Sequence, residues 1–462
     1  LEAAGDLPGA LTRASTAAAD AHDLDLPLLR GQAGYHHGRL LYLSGRGGEA
    51  IAALERARDA ADPTGCVDLR SDIYSRMIKT AANYGGPAAA SAEEWSRQHM
   101  SLAAATRDGG AHLGDAHNER GLLRLLRRGD PEGALADFTA AIEERDRQLA
   151  GGVSSDLADT HLNRGLALTR LGRFAEASAA LATATAIRTA VFGPDHPLHW
   201  REQKARAELL ADRGDLDAAE SLLLTALARV EAGIGRDSVP AVRILMSLAD
   251  VAKRRGDGAR ELAFAEDAAA RGTGDALAPD ERIEVQLNVL YLRGGPDAEA
   301  GARTLAAAAE ADPRVSLETR AEIAVIQAAL AYGDGEEQDR GRLALAARHA
   351  DRALTLLTRA GVEPGATVLD RARKIRGVIA IQRDEYDLVI DTLEPLLLTS
   401  ERFGMDPNER ARLLSGVVYA YLGRDLPGDR ERGCQWLRTL RDGPAAPPDE
   451  DLRDLKKWCR LQ

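Results

Sequence analysis

Lysine is nearly missing from this sequence. Only six of the 60 cations are lysines (Lys79, Lys204, Lys253, Lys374, Lys456 and Lys457), and this arginine bias, with abundant alanine and glycine, suggests a GC-rich bacterial genome. Cysteine is scarce as well. Cys66, Cys434 and Cys459 show no CxxC or Cys/His ligand spacing, so neither a disulfide framework nor a zinc site is indicated and a reducing cytoplasm fits best. No stretch approaches the roughly 18 consecutive apolar residues of a spanning helix, and no basic-plus-apolar leader opens the chain. A membrane is therefore not an expected partner. Excess positive charge is also lacking: 60 cations against 72 acids leave a net charge of -12, without the broad positive field that phosphate backbones attract. Nucleic acid is not expected either.

The catalytic motifs that rest on a few fixed residues are missing too. No GxxxxGK[ST] loop, HExxH, GxSxG or strand-linked GxGxxG occurs. His112 and His117 are five residues apart, off a common helical face, and His36 and His37 are adjacent, so neither pair favours a metal. The expectation is a protein without catalytic residues, metal or cofactor. With 462 residues, 45% of them hydrophobic, the chain is nevertheless long and apolar enough for several domains or one long array.

An array is what the sequence contains. Adding 42 to Gly165, Gly172, Ala177, Leu181 and Ala184 gives Ala207, Gly214, Ala219, Leu223 and Ala226, and a further 42 reaches Ala249 and Gly256. The same offsets recur upstream at Gly38, Gly45, Ala50, Leu54 and Ala57, and slightly stretched at Gly121, Gly129, Ala134, Phe138 and Ala141. Small residues such as Gly165 and Ala177 let two antiparallel helices cross closely, while Leu181 and Ala184 turn the second helix toward the next hairpin. The intervening LGR or RGD reads as a glycine helix stop and a new start.

These positions resemble the tetratricopeptide repeat. The stretch VFGPDHPLHW, Val191 to Trp200, is similar to the link of the 42-residue subclass typified by kinesin light chain. There Pro197 suits a first helical turn and Asp195 can cap it. The resemblance implies an all-α, right-handed α-α superhelix of about ten helical hairpins. It reads as one solenoid over 1–462: a half repeat at 1–20, repeats at 25–62, 66–110 (irregular), 111–150, 154–191, 196–233, 237–271, 278–312, 315–360, 363–402 and 406–441, and a terminal helix at 448–462. The chain opens at Leu1 with the offsets of a second helix only, from which a longer parent protein or an omitted first helix is expected. The polar insertion between Gly333 and Gly341, with Asp334, Glu336, Glu337 and Asp339, is expected to be an exposed loop.

The family binds proteins or peptides along a groove lined by one stripe of each first helix. Carried onto this sequence, the stripe is Gln32, Tyr35, Arg39 and Tyr42 in the first full repeat, with His36 beside it. Two tyrosines flanking an arginine can stack on a peptide and pair with a carboxylate; the alternative is packing against neighbouring helices. One stripe position reads Arg201, Arg243, Arg282, Arg320, Arg371 and Arg410, six of six successive repeats. Cations in a helix's first turn oppose the macrodipole, so propensity does not explain them. Either each bridges to a carboxylate of a neighbouring hairpin, with Glu281, Glu318, Asp370 and Glu409 close in sequence, or the ladder receives an acidic partner segment with help from Lys204, Lys253, Arg254 and Lys374. The resemblance thus implies a protein- or peptide-binding module, the sensor or scaffold part of a larger bacterial regulatory or signalling protein. A free-standing adaptor is the alternative, and an enzyme on a helical-repeat scaffold a third.

Overall fold

The computed structural model describes residues 7–462 apart from 45, 85–86, 106–109, 274–276, 278, 334–339, 363–366, 404–406, 444, 446, 448–451 and 460–462. Among the described residues α-helices follow one another through short connections, and no strand occurs. The all-α expectation holds. The insertion centred on Asp334, Glu336, Glu337 and Asp339 lies outside the described residues.

The chain divides into two compact units, Leu1–Arg293 with Asp312–Ser316, and Gly294–Ala311 with Leu317–Gln462. In unit 1 a single helix, α1 (Leu7–His22), packs on α2 (Pro27–Leu43). The hairpins are α2 with α3 (Gly47–Ala61), α4 (Val67–Tyr84) with α5 (Pro87–Ala104), α6 (Gly110–Leu123) with α7 (Pro131–Leu149), and α8 (Ser155–Arg170) with α9 (Phe174–Phe192). They continue with α10 (Trp200–Asp212) and α11 (Leu216–Gly233), then α12 (Val239–Arg255) and α13 (Gly258–Arg271), and α14 (Pro279–Arg293) packs on α13. In unit 2, α15 (Gly295–Ala311) packs on α16 (Leu317–Tyr332). Its hairpins are α16 with α17 (Arg340–Ala360), α18 (Thr367–Ile381) with α19 (Tyr386–Phe403), and α20 (Pro407–Arg424) with α21 (Asp429–Arg441); α22 (Arg453–Cys459) packs on α21.

The repeated positions are what seal each hairpin. Ala50, Leu54, Ala134, Phe138, Ala177, Leu181 and Ala219 are fully buried. Each glycine at the crossing faces the large residue of its partner helix: a Cβ on Gly165 would stand 2.6 Å from Leu181 Cδ2, and one on Gly121 2.6 Å from Phe138 Cε1. The glycine stops at Gly172, Gly214 and Gly256 take φ of 69°, 85° and 76°, the left-handed turn that ends a helix without steric cost only for glycine. The stretched repeat also has a local cause. Its extra residue is taken up by a π-helical turn, Arg124–Arg128, which closes on Gly129 at φ 59°. Enlarging Gly165 to leucine should overpack the α8–α9 crossing and cost roughly 1–3 kcal/mol. A thermal melt left unchanged by that substitution would show that the crossing can yield.

Two local expectations need correction. The GPDHP link is not capped by Asp195, which is exposed; His196 Nδ1 accepts from the Leu198 N–H at 3.2 Å, and a 3-10 turn Pro197–His199 leads into α10. An imidazole already stacked on Phe192, with centroids 4.7 Å apart, is better placed to meet that N–H than a solvated carboxylate. The cysteines are not all unpaired either: Cys434 and Cys459 form a disulfide that ties α22 to α21, with Cα atoms 5.5 Å apart. Cysteine usage therefore no longer argues for a reducing compartment.

Candidate functional site

In unit 1 the first helices of successive hairpins lie side by side, α2 on α4, α4 on α6, α8 on α10 and α10 on α12. The second helices cover one side of this row with the apolar core, and the other side carries polar and aromatic groups. Gln32 and His36 are exposed on α2, and Tyr35 is half-buried against the α3–α4 core with its ring 5.4 Å from His36. Arg39 is half-buried. Tyr42 is held by α4: the Arg76 guanidinium lies 4.9 Å from its ring centroid, Tyr84 meets it edge-on at 5.6 Å, and Asn83 Nδ2 donates to its hydroxyl at 3.4 Å. The Tyr84 hydroxyl in turn donates to the Tyr42 carbonyl at 2.9 Å. Burial first, then Tyr42 and Glu281, push the Tyr84 phenol well above its ordinary range, with Arg243 opposing. The end of α4 thus shares an electrostatic neighbourhood with α12 and α14.

The arginine ladder is largely occupied by the protein's own acids. Arg201 Nη1 meets Asp159 of α8 at 3.3 Å, Arg243 pairs with Glu281 of α14, and Arg254 bridges Asp212 of α10 at 2.6 Å and Asp250 at 2.8 Å. Lys204 pairs with Glu208 one turn along its own helix. Lys253 is exposed, and Arg282 is half-buried and also engaged. Unit 2 repeats the pattern: Arg371 Nη1 meets Glu322 of α16 at 2.6 Å and Lys374 Nζ meets Glu409 of α20 at 2.6 Å, while Arg320 and Arg410 are half-buried and engaged. The stripe is therefore split between the units, with Arg320, Arg371, Lys374 and Arg410 in unit 2 and the rest in unit 1.

Sequence reasoning passed over a stronger set of arginines, on the second helices. Arg188 of α9 is 1% exposed and joins its own hairpin to the next: Nη2 meets Asp159 at 2.6 Å, Nη1 meets Ser155 Oγ at 3.1 Å, and Nε meets Glu202 of α10 at 2.8 Å. Burial works against its charge, but Asp159 and Glu202 outweigh burial and raise it above the ordinary arginine value. Arg145 of α7 does the same between Asp115 of α6, at 2.5 Å, and Thr160 of α8. The signal was present: both arginines stand four residues after the repeated alanines Ala141 and Ala184.

A second buried cluster joins α4, α5 and α6. Ser71 Oγ lies 2.7 Å from His99 Nε2, His99 Nδ1 lies 3.7 Å from Glu119 Oε2, and Lys79 Nζ lies 2.9 Å from Glu119 Oε1. Burial holds the imidazole down to about 4 and pushes the Glu119 carboxyl up, the latter partly offset by Lys79. Hydroxyl, imidazole and carboxylate stand in the order of a nucleophile, base and acid, yet none is more than 1% exposed, so a substrate has no way to Ser71. The cluster is structural. A cleft of about 740 Å³ beside it, lined by Arg58, Asp62, Arg70 and Tyr74 among others, has its arginines paired with Asp59 at 2.9 Å and Asp62 at 2.8 Å. Among the described residues no group of three potential metal ligands assembles, and no helix is long and apolar enough to cross a membrane.

With this geometry in hand, the comparison with known families is direct: residues 157–198, the α8–α9 hairpin with its GPDHP link, match the tetratricopeptide repeat. Those residues form a tetratricopeptide repeat. No curated protein matches its sequence. Among solved structures, the chain is similar to a Rap protein complexed with competence and sporulation factor (11% identity, 88% of this chain and 99% of that one, TM-score 0.45). It is also similar to a signal transduction ATPase with numerous domains, carrying a tetratricopeptide repeat sensor, from Pyrococcus horikoshii (14%, 85% and 52%, TM-score 0.41), and to human IFIT1 with m7Gppp-AAAA (13%, 91% and 87%, TM-score 0.48). At these scores the reading of the site rests on the chain's own residues.

Proposed function

We propose that this tetratricopeptide-repeat chain is a protein- or peptide-binding module, serving as the sensor or scaffold part of a larger bacterial regulatory protein. The observation that carries the reading is the row of first helices in unit 1, covered by core on one side and lined on the other by Gln32, Tyr35, His36, Arg39, Tyr42 and Lys253. An extended segment laid across such a row meets one helix per hairpin, so several weak contacts add along its length. The ladder arginines serve this face as struts between its helices. Paired with Asp159 and Glu281, Arg201 and Arg243 fix the register of neighbouring helices rather than offering free charge.

Peptide display on the immobilised chain supplies a ligand, and charge reversal locates it. Arg39→Glu and Lys253→Glu should weaken a selected peptide, whereas Arg229→Glu, exposed on α11, should not. Loss of binding only with Arg229→Glu would place the site on the second helices. Replacing Arg243 and Arg282 together with alanine should lower the melting temperature slightly, since an exposed ion pair such as Arg243–Glu281 contributes about 0–1 kcal/mol, and leave peptide affinity within about twofold. A large affinity loss with an unchanged melt would instead make the ladder itself the ligand site.

A further inference from the structure

We propose that Arg76, laid on the ring of Tyr42, is where unit 1 receives an anionic group, the carboxylate or phosphate of a bound peptide. The inference rests on the peptide-binding reading above and adds the point of charge recognition. It starts from a contrast between arginines. Arg120, Arg145, Arg188, Arg201, Arg243 and Arg254 each hold a carboxylate of the protein. Among the described residues Arg76 holds none: its guanidinium sits 4.9 Å from the Tyr42 ring centroid, and its Nε is buried without a hydrogen-bond partner there. Asp72, one turn back on α4, is exposed and acts on Arg76 only through its field.

Three features make this a receptor rather than a stray cation. The aromatic ring fixes the plane of the guanidinium, so its fork is oriented before any ligand arrives. Tyr42 is itself held, by Tyr84 edge-on and by Asn83 on its hydroxyl, so the platform does not swing away. Lys79, three residues along α4, is already matched by Glu119 at 2.9 Å, which leaves Arg76 as the unmatched charge of the two. A carboxylate or phosphate oxygen meeting the Arg76 fork makes charge-assisted, paired hydrogen bonds, the strongest kind this surface can offer.

The test uses the full chain and three labelled peptides: glycine alternating with glutamate, with phosphoserine, or with glutamine. Fluorescence anisotropy should show the two anionic peptides binding more tightly than the glutamine peptide, with affinity falling as salt rises. Arg76→Met should weaken the anionic peptides about tenfold or more while leaving the melt in place, and Arg76→Lys should restore part of the loss. The two sources of the anion separate in the wild-type titrations, where the tighter peptide names the preferred group. Should the methionine variant fail to fold, Arg76→Gln is read in the same way. Equal binding of all three peptides, or anionic-peptide affinity unchanged by Arg76→Met and Arg76→Gln, overturns the proposal. If a display-selected peptide still loses affinity with Arg39→Glu while Arg76→Met leaves the anionic peptides unaffected, the binding face stands and the anion site falls.

Discussion

Replacing Arg188 with methionine is expected to destabilise the centre of unit 1 by about 3–5 kcal/mol, the range for breaking a buried pair by removing one partner. Glu202 is 1% exposed, and its Oε2 already lacks a hydrogen-bond partner; without the guanidinium its carboxylate is buried with no countercharge. Asp159 loses its 2.6 Å partner at the same time. Because Arg188 ties α8 and α9 to α10, the loss should appear first as faster amide exchange in those three helices, with the rest of the array following. Repeat arrays need not unfold in two states, so local exchange is a safer readout than a single unfolding midpoint. A second variant separates charge from packing. Changing Arg188→Met and Glu202→Leu together removes both buried charges and should recover much of the loss. Unchanged exchange in α8–α10 for Arg188→Met would mean that the seam is held by its apolar contacts alone.

Acidification is expected to weaken the α4–α5–α6 cluster through His99. Burial holds its imidazole at about 4, against an ordinary value of 6.5, with Ser71 on Nε2 and Glu119, Lys79, Asp115 and His112 nearby. The folded state therefore binds fewer protons than the unfolded chain between these values. Stability from a neutral buried histidine is complete above 6.5 and is lost as pH falls toward 4, on the order of 3 kcal/mol for this interval. Glu119, raised by burial, contributes with the opposite sign, so the test is a difference. His99→Phe keeps a ring against Tyr74 and removes the titration. The wild type should lose stability more steeply than the variant between pH 6.5 and 4. Parallel curves would show that His99 does not titrate in this window.

How far the sequence reached follows from what a repeat can encode. Gly165 against Leu181 and the turn at Gly172 recur at fixed spacing because every hairpin solves the same crossing problem, so the all-α hairpin fold was legible. Tyr42 was placed on the first-helix face, but its partners Arg76, Asn83 and Tyr84 come from α4, in the least regular repeat, where spacing gives no guide. Arg188 was missed because a charged residue inside a helix reads as a solvated face until the neighbouring hairpin supplies Glu202. The cysteine pair was missed for a related reason: Cys434 and Cys459 are 25 residues apart, and only the packing of α22 on α21 brings them together. The ladder was legible as a periodic feature. Its carboxylates, Asp159, Glu281 and Glu322, sit on neighbouring first helices whose faces become adjacent only after folding.

Ligands lying along the first helices of unit 1 would be captured there by site-specific photocross-linking. With a benzophenone side chain placed singly at Gln32, Tyr35 or Lys253 on that face, or at Arg229 on α11, a display-selected peptide should cross-link from the first three positions and not from the last. Cross-linking from Arg229 alone would put the ligand on the second helices and rule out the first-helix face.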